Sequence, residues 1–492
     1  MVFWLLLLGI ITYIILRTRV AHLTRTPLWV LWLVLMTPAF IWTAWFVVHG
    51  NNEPLPTEVA VGSFILSPII YWFAFSWGRR DFRPPPTEGV ATPSPEESDS
   101  EHKEGGLPKL ADVRPISAEE EEELRDCFDW TVYPLHKLDY RPQAIICRGQ
   151  LRSPPEVAYK RIRENIEGKF GDRFAIIFQE DFHGKPFFIL VPNIIPTPDR
   201  SQLNKPLLAL SLAAITLFTT TVVGTTLGGV SPQTLQSQPA LLVEGLPYAI
   251  SLMTILGIHE SGHYVAAIAH NIRTTLPYFI PFPIFLGTFG AFVQIRSPIP
   301  NRKVLFDISI AGPIAGFVVT LPILFWGLAN STVVELPEDP SMFSIDALDP
   351  TFSLLLLLLS KFALGSQLTP TSGIDLHPVA IAGYIGLIVT AFNLLPVGQL
   401  DGGHIVHGMF GQRQAARIGQ VSRFLVLGLA VLQPSWFLLA VFLFFMPIID
   451  SPALNDISEL DNRRDLCGLL AIAVLLLIIL PAPNLVMNWL QG

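Results

Sequence analysis

The chain has 492 residues, with 32 Lys plus Arg against 40 Asp plus Glu for a formal net charge of -8. Charged residues make up 15% against the ~25% usual in soluble domains, and hydrophobic residues make up 51% in long blocks, which excludes an ordinary soluble enzyme. The acidic balance argues against a nucleic-acid binder, and Cys127, Cys147 and Cys467 are too scattered for a disulfide framework or a CxxC site.

The first apolar runs are Met1–Leu16, Leu28–Val48 and about Val61–Trp77. Three in succession read as retained spans rather than a cleaved targeting segment. Basic clusters at Arg17–Arg25 and Arg79–Arg83 place those ends on the cytoplasmic side, and the Gly50–Glu58 loop, which lacks Lys and Arg, on the other. The amino terminus is then outside as well.

A polar insert follows. Residues 79–108 are rich in Pro, Glu, Ser and Gly and read as a disordered linker. Residues 109–205 read as a small cytoplasmic or stromal α/β domain. Ser117 and Glu120 form a capping-box pattern ahead of a helix reaching about Phe128. Pro155–Ile166 has helical spacing. Phe174–Phe178 and Phe187–Val191 read as strands joined by a turn at Asp181–Gly184. His183 in that turn reads as a surface residue. The domain has no nucleotide loop or clustered metal ligands, so it suits regulation or substrate gating and a regulatory partner.

Further spans are expected at Leu207–Leu227, Leu246–His270, Ile308–Leu328, Val379–Leu395, Phe424–Ile448 and Leu466–Leu480. Phe352–Leu364 is too short to span and suits a re-entrant or buried helix. The total is about nine spans at the ~20 residues each requires. The expected organisation is a transmembrane region at 1–78, the linker, the insert domain and a membrane core over 206–492. The fold class is a polytopic all-helical membrane core with a small α/β soluble insert and room for a re-entrant strand-like loop.

Gly257–His263 reads GIHESGH. Four residues apart on a helix, His259 and His263 share a face. Glu260 beside them can approach a metal-bound water, the HExxH arrangement of zinc proteases. These groups end an apolar helix, where ionisable side chains are costly unless paired or functional. An architectural metal site is the other reading. Zinc with an open fourth position needs a third protein ligand. Asp401 is the strongest candidate, because Asn393–Gly403, NLLPVGQLDGG, breaks an apolar run at Pro396. Glu244, Asp307 and Asp375 lack a comparable polar break. Gly312 and Gly316, in GPIAG, suit close helix packing. His404 and His407 follow Asp401 without a ligand spacing and suit its surroundings rather than the metal.

HESGH at 259–263 and NLLPVGQLDGG at 393–403 together resemble the site-2 protease family of intramembrane zinc metalloproteases. Gly287–Val293, GTFGAFV, and Arg148–Arg152, RGQLR with Gln150 at an Asn position, resemble the cyanobacterial and chloroplast, EGY-like branch. The resemblance covers most of the chain from about residue 205 onward, and no PDZ signature is present. It implies an all-helical membrane core with a strand-like loop. It also implies one zinc ion on His259, His263 and Asp401, with Glu260 as the catalytic glutamate. Asn393 and Pro396 match the Asn and Pro ahead of the ligand aspartate. Asn393 would orient substrate, stabilise developing oxygen charge or cap the broken helix. Gly287–Val293 would be an extended edge that pairs with unwound substrate, or a close helix contact. The implied activity is cleavage of membrane proteins in or near their transmembrane segments. The implied setting is a bilayer, as a multi-pass protein of a bacterial plasma, thylakoid or chloroplast membrane. The competing classes are a non-proteolytic metal-binding transporter and a client-binding homologue.

Overall fold

The structure is a computed structural model that describes residues 26–49, 116–141, 144–181, 184–193, 205–283, 286–337, 346–369, 372–432, 436–448 and 450–483, with isolated positions between 9 and 77. The first and third apolar runs lie largely, and the 79–108 linker and His183 wholly, outside the described residues. The chain divides into two compact units, Met1–Pro108 with Leu429–Val441, and Lys109–Gly428 with Phe442–Gly492. Within the first unit, helix α1 (Leu28–His49) matches the second apolar run, and its Thr37 and Thr43 hydroxyls donate to carbonyls one turn back.

The second unit begins with α2 (Ala118–Asp126). Its capping box forms as the sequence indicates: Ser117 N–H donates to Glu120 Oε2 at 2.9 Å, and Glu120 N–H to Ser117 Oγ at 3.2 Å. That backbone bond and the Arg173 guanidinium hold the Glu120 carboxyl below its ordinary range. Next come β1 (Leu135–Arg141), β2 (Ala144–Gly149), α3 (Pro155–Phe170), β3 (Phe174–Glu180) and β4 (Pro186–Pro192). The last two strands and α3 agree with the sequence reading, α3 running four residues further. The hairpin of β1 and β2 was not anticipated, because β1 has no simple in–out alternation. The sheet is antiparallel in the order β1-β2-β4-β3.

The register sets Phe178 opposite Phe188. Their rings stack at 4.0 Å, and Tyr133 meets Phe188 edge-on at 5.0 Å. Tyr133 is fully buried, but its hydroxyl donates to the Pro186 carbonyl at 2.9 Å, so its polar end is satisfied. Gly149 passes so near that an added Cβ would lie 2.3 Å from the Pro134 carbonyl oxygen.

Four helices among the described residues are long and apolar enough to cross a membrane: α1, α4 (Pro206–Leu227), α5 (Leu246–Ala269) and α6 (Arg302–Ala329). Between α5 and α6, β5 (Tyr278–Pro281) and β6 (Thr288–Phe292) form a two-stranded antiparallel sheet. After α6, β7 (Thr332–Glu335) pairs with β8 (Ser372–Asp375), and α7 (Leu354–Leu364) lies between them in sequence. The 11 residues of α7 agree with the expectation of a helix too short to span. Helix α8 (Pro378–Leu394) has 17 residues, ~26 Å at 1.5 Å per residue and short of a ~30 Å hydrocarbon core.

The chain continues as α9 (Asp401–Phe410), α10 (Gln412–Leu432), α11 (Phe437–Phe445) and α12 (Asn462–Ile479). The expected single run Phe424–Ile448 is thus two helices. The sequence carries Pro434 between them, a residue with no N–H for a continuous helix ladder. Residues Leu454–Asp456 add to the free edge of β3: Phe178 N–H donates to the Leu454 carbonyl at 2.7 Å and Asp456 N–H to the Phe178 carbonyl at 2.9 Å.

The stacked pair makes a testable centre. Phe188→Ala should destabilise the sheet by about 3–5 kcal/mol, read as faster amide hydrogen exchange along β3 and β4. Unchanged protection there would show that the Phe178–Phe188 stack does not hold the sheet.

Candidate metal centre

Pro247 in the first turn of α5 suits a helix start, where its missing N–H is not needed. The helix then places His259 and His263 on one face. Their Nε2 atoms are 3.3 Å apart. Asp401 reaches the same point from the start of α9, its Oδ2 lying 3.5 Å from His259 Nε2 and 3.2 Å from His263 Nε2. Among the described residues this is the one group of three His, Cys, Asp or Glu side chains whose donor atoms converge in this way.

The turn that delivers Asp401 depends on close backbone contacts. Helix α8 ends at Leu394 and the chain folds back before α9. A Cβ on Gly402 would lie 2.0 Å from the Leu394 carbonyl oxygen, and one on Gly403 would lie 2.3 Å from the Gly398 carbonyl oxygen. Only hydrogen fits at either place.

The donor chemistry fits a zinc ion. His263 Nδ1 donates to the Ile308 carbonyl at 2.8 Å. In the neutral ring its proton is spent there, and the Nε2 lone pair faces His259 and the Asp401 carboxylate. Lone pairs and a half-buried carboxylate directed at one point repel each other unless a cation lies between them. Tetrahedral zinc with bonds of about 2.0–2.1 Å separates its ligands by ~3.3 Å, in line with the 3.2, 3.3 and 3.5 Å observed.

Helix α6 forms a wall of the site. A Cβ on Gly312 would lie 2.1 Å from His263 Nε2, and one on Gly316 would lie 2.9 Å from His259 Nδ1. These glycines allow helix packing, as their spacing indicates, and they also make room for the two imidazoles. Sequence reasoning did not identify that second role, since spacing does not say what lies opposite.

Glu260 and Asn393 line the same cavity of about 290 Å³, together with His259, His263, Asp401, His404 and Ala291, Phe292 and Val293 in and after β6. The Asn393 side-chain nitrogen is 3.2 Å from His259 Nε2. The weaker ligand candidates lie apart from the triad. Asp307 takes two hydrogen bonds from Arg464, both 2.7 Å, and one contact of 3.0 Å from His270. Glu244 and Asp375 are exposed.

Two carboxylates escaped the sequence reading. Asp450 Oδ2 accepts from His404 Nδ1 at 2.6 Å and from His407 Nδ1 at 2.8 Å, and Asp456 Oδ1 accepts from His407 Nε2 at 2.8 Å. Asp450 could have been singled out as a charge closing an apolar run.

Gly312→Ala should displace His263 and lower the zinc content of the purified chain, an overpacking cost of about 1–3 kcal/mol. Gly168→Ala, whose added methyl meets nothing within 4 Å, should leave zinc unchanged. Equal zinc in both variants would show that the imidazole does not need the glycine.

Residues 247–432 match the model of Peptidase family M50, and residues 122–198 match that of the EGY3 middle domain. The chain is 30% identical over 364 residues to the probable zinc metalloprotease EGY1, chloroplastic, of Arabidopsis thaliana, covering 68% of this chain and 65% of that protein. It is 30% identical over 347 residues to the probable zinc metalloprotease EGY2, chloroplastic, of Oryza sativa subsp. indica, covering 69% and 62%. To the probable zinc metallopeptidase EGY3, chloroplastic, of Arabidopsis thaliana it is 29% identical over 251 residues, covering 48% and 43%. The chain therefore spans less than two thirds of the length of these relatives. No solved structure matches it. His259, His263 and Asp401 all lie inside the first matched stretch, and residues 247–432 form a peptidase family M50 (site-2 protease) domain.

Proposed function

We propose that the chain is a zinc-dependent intramembrane endopeptidase that hydrolyses peptide bonds in or near transmembrane segments of other proteins. The observation that carries this reading is the convergence of His259 Nε2, His263 Nε2 and Asp401 Oδ2 beside Glu260 in one cavity. The family match favours it over a transporter or a client-binding protein. Its bilayer setting is supported by the four apolar helices. The relatives' chloroplastic names, with the cyanobacterial and chloroplast resemblance of the sequence, favour a thylakoid or chloroplast membrane.

In this reading His259, His263 and Asp401 hold the metal. Bound there, zinc would supply Lewis acidity toward a water and the scissile carbonyl. Glu260 takes a proton from the attacking water and passes it to the leaving amine as the carbon–nitrogen bond breaks. Asn393, beside His259 at the cavity wall, orients the substrate carbonyl. A helical substrate has its carbonyls bonded within the helix, so it must unwind locally before cleavage. Among the described residues the β5–β6 sheet has two strands, and β6 contributes to the cavity wall. Its free edge offers main-chain hydrogen bonds to an unwound segment, by strand addition.

The proposed organisation keeps residues 1–78 as an amino-terminal transmembrane region, 79–108 as a linker, 109–205 as the soluble domain and 206–492 as the protease core. The core is polytopic and helical, and β5–β6 is its strand-like loop. The soluble domain lies on the cytoplasmic or stromal side and suits regulation. A cysteine placed at Glu122, exposed on α2, should react with a membrane-impermeant maleimide from that side. Reaction solely from the opposite side would reverse the topology.

The catalytic test uses the purified full chain in detergent micelles with zinc, and a dye-quenched, carboxymethylated lactalbumin as an unfolded substrate. Cleavage should be chelator-sensitive. Glu260→Gln should lower turnover by roughly 10²-fold or more while retaining zinc and fold, and the His259→Ala, His263→Ala double variant should lose zinc. Cleavage at the wild-type rate by Glu260→Gln would remove the assigned proton transfer, and normal zinc in the double variant would remove the ligand assignment.

A further inference from the structure

The zinc set and Glu260 do not account for His404, one helical turn after Asp401. Asp450, Asp456, His404 and His407 form a network behind the metal site. Within it, His407 is fully buried and both its ring nitrogens are held, Nδ1 by Asp450 and Nε2 by Asp456 at 2.8 Å each. That ring has no atom left for a ligand. His404 differs. Its Nδ1 is anchored on Asp450 Oδ2 at 2.6 Å. Asp450 is itself fixed, since its Oδ1 accepts the Ser451 N–H at 2.6 Å and Oδ2 also accepts from His407. The other nitrogen, Nε2, has no protein partner among the described residues. The His404 side chain is 24% exposed, and the residue lines the cavity that holds His259, Glu260, Asp401 and Asn393.

An imidazole with one nitrogen locked on a buried carboxylate and the other free at a reaction cavity is oriented for a substrate rather than for packing. Peptide hydrolysis has a use for such a group beside a metal. As the water oxygen bonds to the carbonyl carbon, the carbonyl π pair moves onto its oxygen, and that oxygen gains charge. N–H donors aimed at the developing charge lower the barrier.

Building on the protease reading above, we propose that His404 is a further catalytic residue, whose Nε2–H donates a hydrogen bond to the scissile carbonyl oxygen as charge develops on it. That donation requires the imidazolium form, in which Nδ1–H is spent on Asp450 and Nε2–H is the remaining donor. No proton leaves His404. The water proton goes to Glu260 and on to the leaving amine, the carbon–nitrogen bond breaks, and the imidazole ends the cycle as it began.

The test compares His404→Ala, His404→Gln and Glu260→Gln in the full chain, with zinc content measured alongside kcat and KM on the same dye-quenched lactalbumin. His404→Ala should lower kcat by roughly 10²–10³-fold with KM and zinc little changed. His404→Gln keeps an N–H donor and should recover part of the loss. A wild-type kcat in His404→Ala, with Glu260→Gln inactive, would overturn this role and leave the protease reading standing. Loss of zinc or fold in both His404 variants would also overturn it, in favour of a support for the Asp401 helix. Absence of chelator-sensitive cleavage by the wild-type chain would remove both readings together.

Discussion

Three electron-donating groups meet within 3.5 Å of one another in a cavity they share with Glu260, Asn393 and His404, and the core of the larger unit is arranged around that meeting. Two imidazole lone pairs and a carboxylate so close are unstable without a cation, because burial removes the water that would otherwise screen them. Each neighbouring element answers this constraint. Helix α5 supplies the histidines one turn apart. Helix α6 gives up side-chain volume at Gly312 and Gly316 so that the rings fit. The backbone before α9 folds tightly enough to turn Asp401 inward. The Ile308 carbonyl accepts a hydrogen bond from His263 Nδ1–H, fixing which nitrogen faces the site.

Holding Asp401 in place requires holding the whole of α9, a short helix of ten residues. Its carboxyl end is tied by Arg302, which donates from Nε to the Gly408 carbonyl at 2.9 Å and from Nη2 to the Met409 carbonyl at 2.8 Å. A guanidinium there both satisfies open carbonyls and complements the helix dipole. Its middle is tied by His407 to Asp450 and Asp456. The chain at Asp456 is also the strand added to β3, and Leu454 and Asn455 donate in turn to the Ile299 and Pro300 carbonyls at 2.9 Å each. A continuous run of hydrogen bonds therefore joins the edge of the α/β sheet to the helix that begins at the proposed metal ligand. This gives the β1–β4 sheet a physical connection to the site.

Local features of the sequence were legible because they depend on residues close along the chain. The i, i+4 spacing of His259 and His263, the break at Pro396 ahead of Asp401, the Ser117–Glu120 cap and the β3–β4 turn all follow from periodicity or turn chemistry over a few residues. The two motifs were enough to identify the family. The hairpin of β1 and β2 was hidden because β1 is partly exposed on both faces, and strand pairing rather than alternation defines it. The division of the run at 424–448 was masked by an apolar composition that continues across Pro434.

Which carboxylate joins the histidines was a matter for the tertiary structure. Asp307 and Asp401 both border apolar helices in the sequence, yet Arg464, 157 positions from Asp307, engages one and leaves the other to the site. Gly312 and Gly316 read as packing glycines until the imidazoles opposite them were known. His404 and His407 had no assignable partners until Asp450 and Asp456 were brought beside them, 46 and 49 positions away. The sequence by itself determined which groups could bind a metal, since helical spacing and a chain break act within a few residues. Only the tertiary structure decided which groups meet, because a close-packed interior admits one partner at each point and that partner comes from a distant part of the chain.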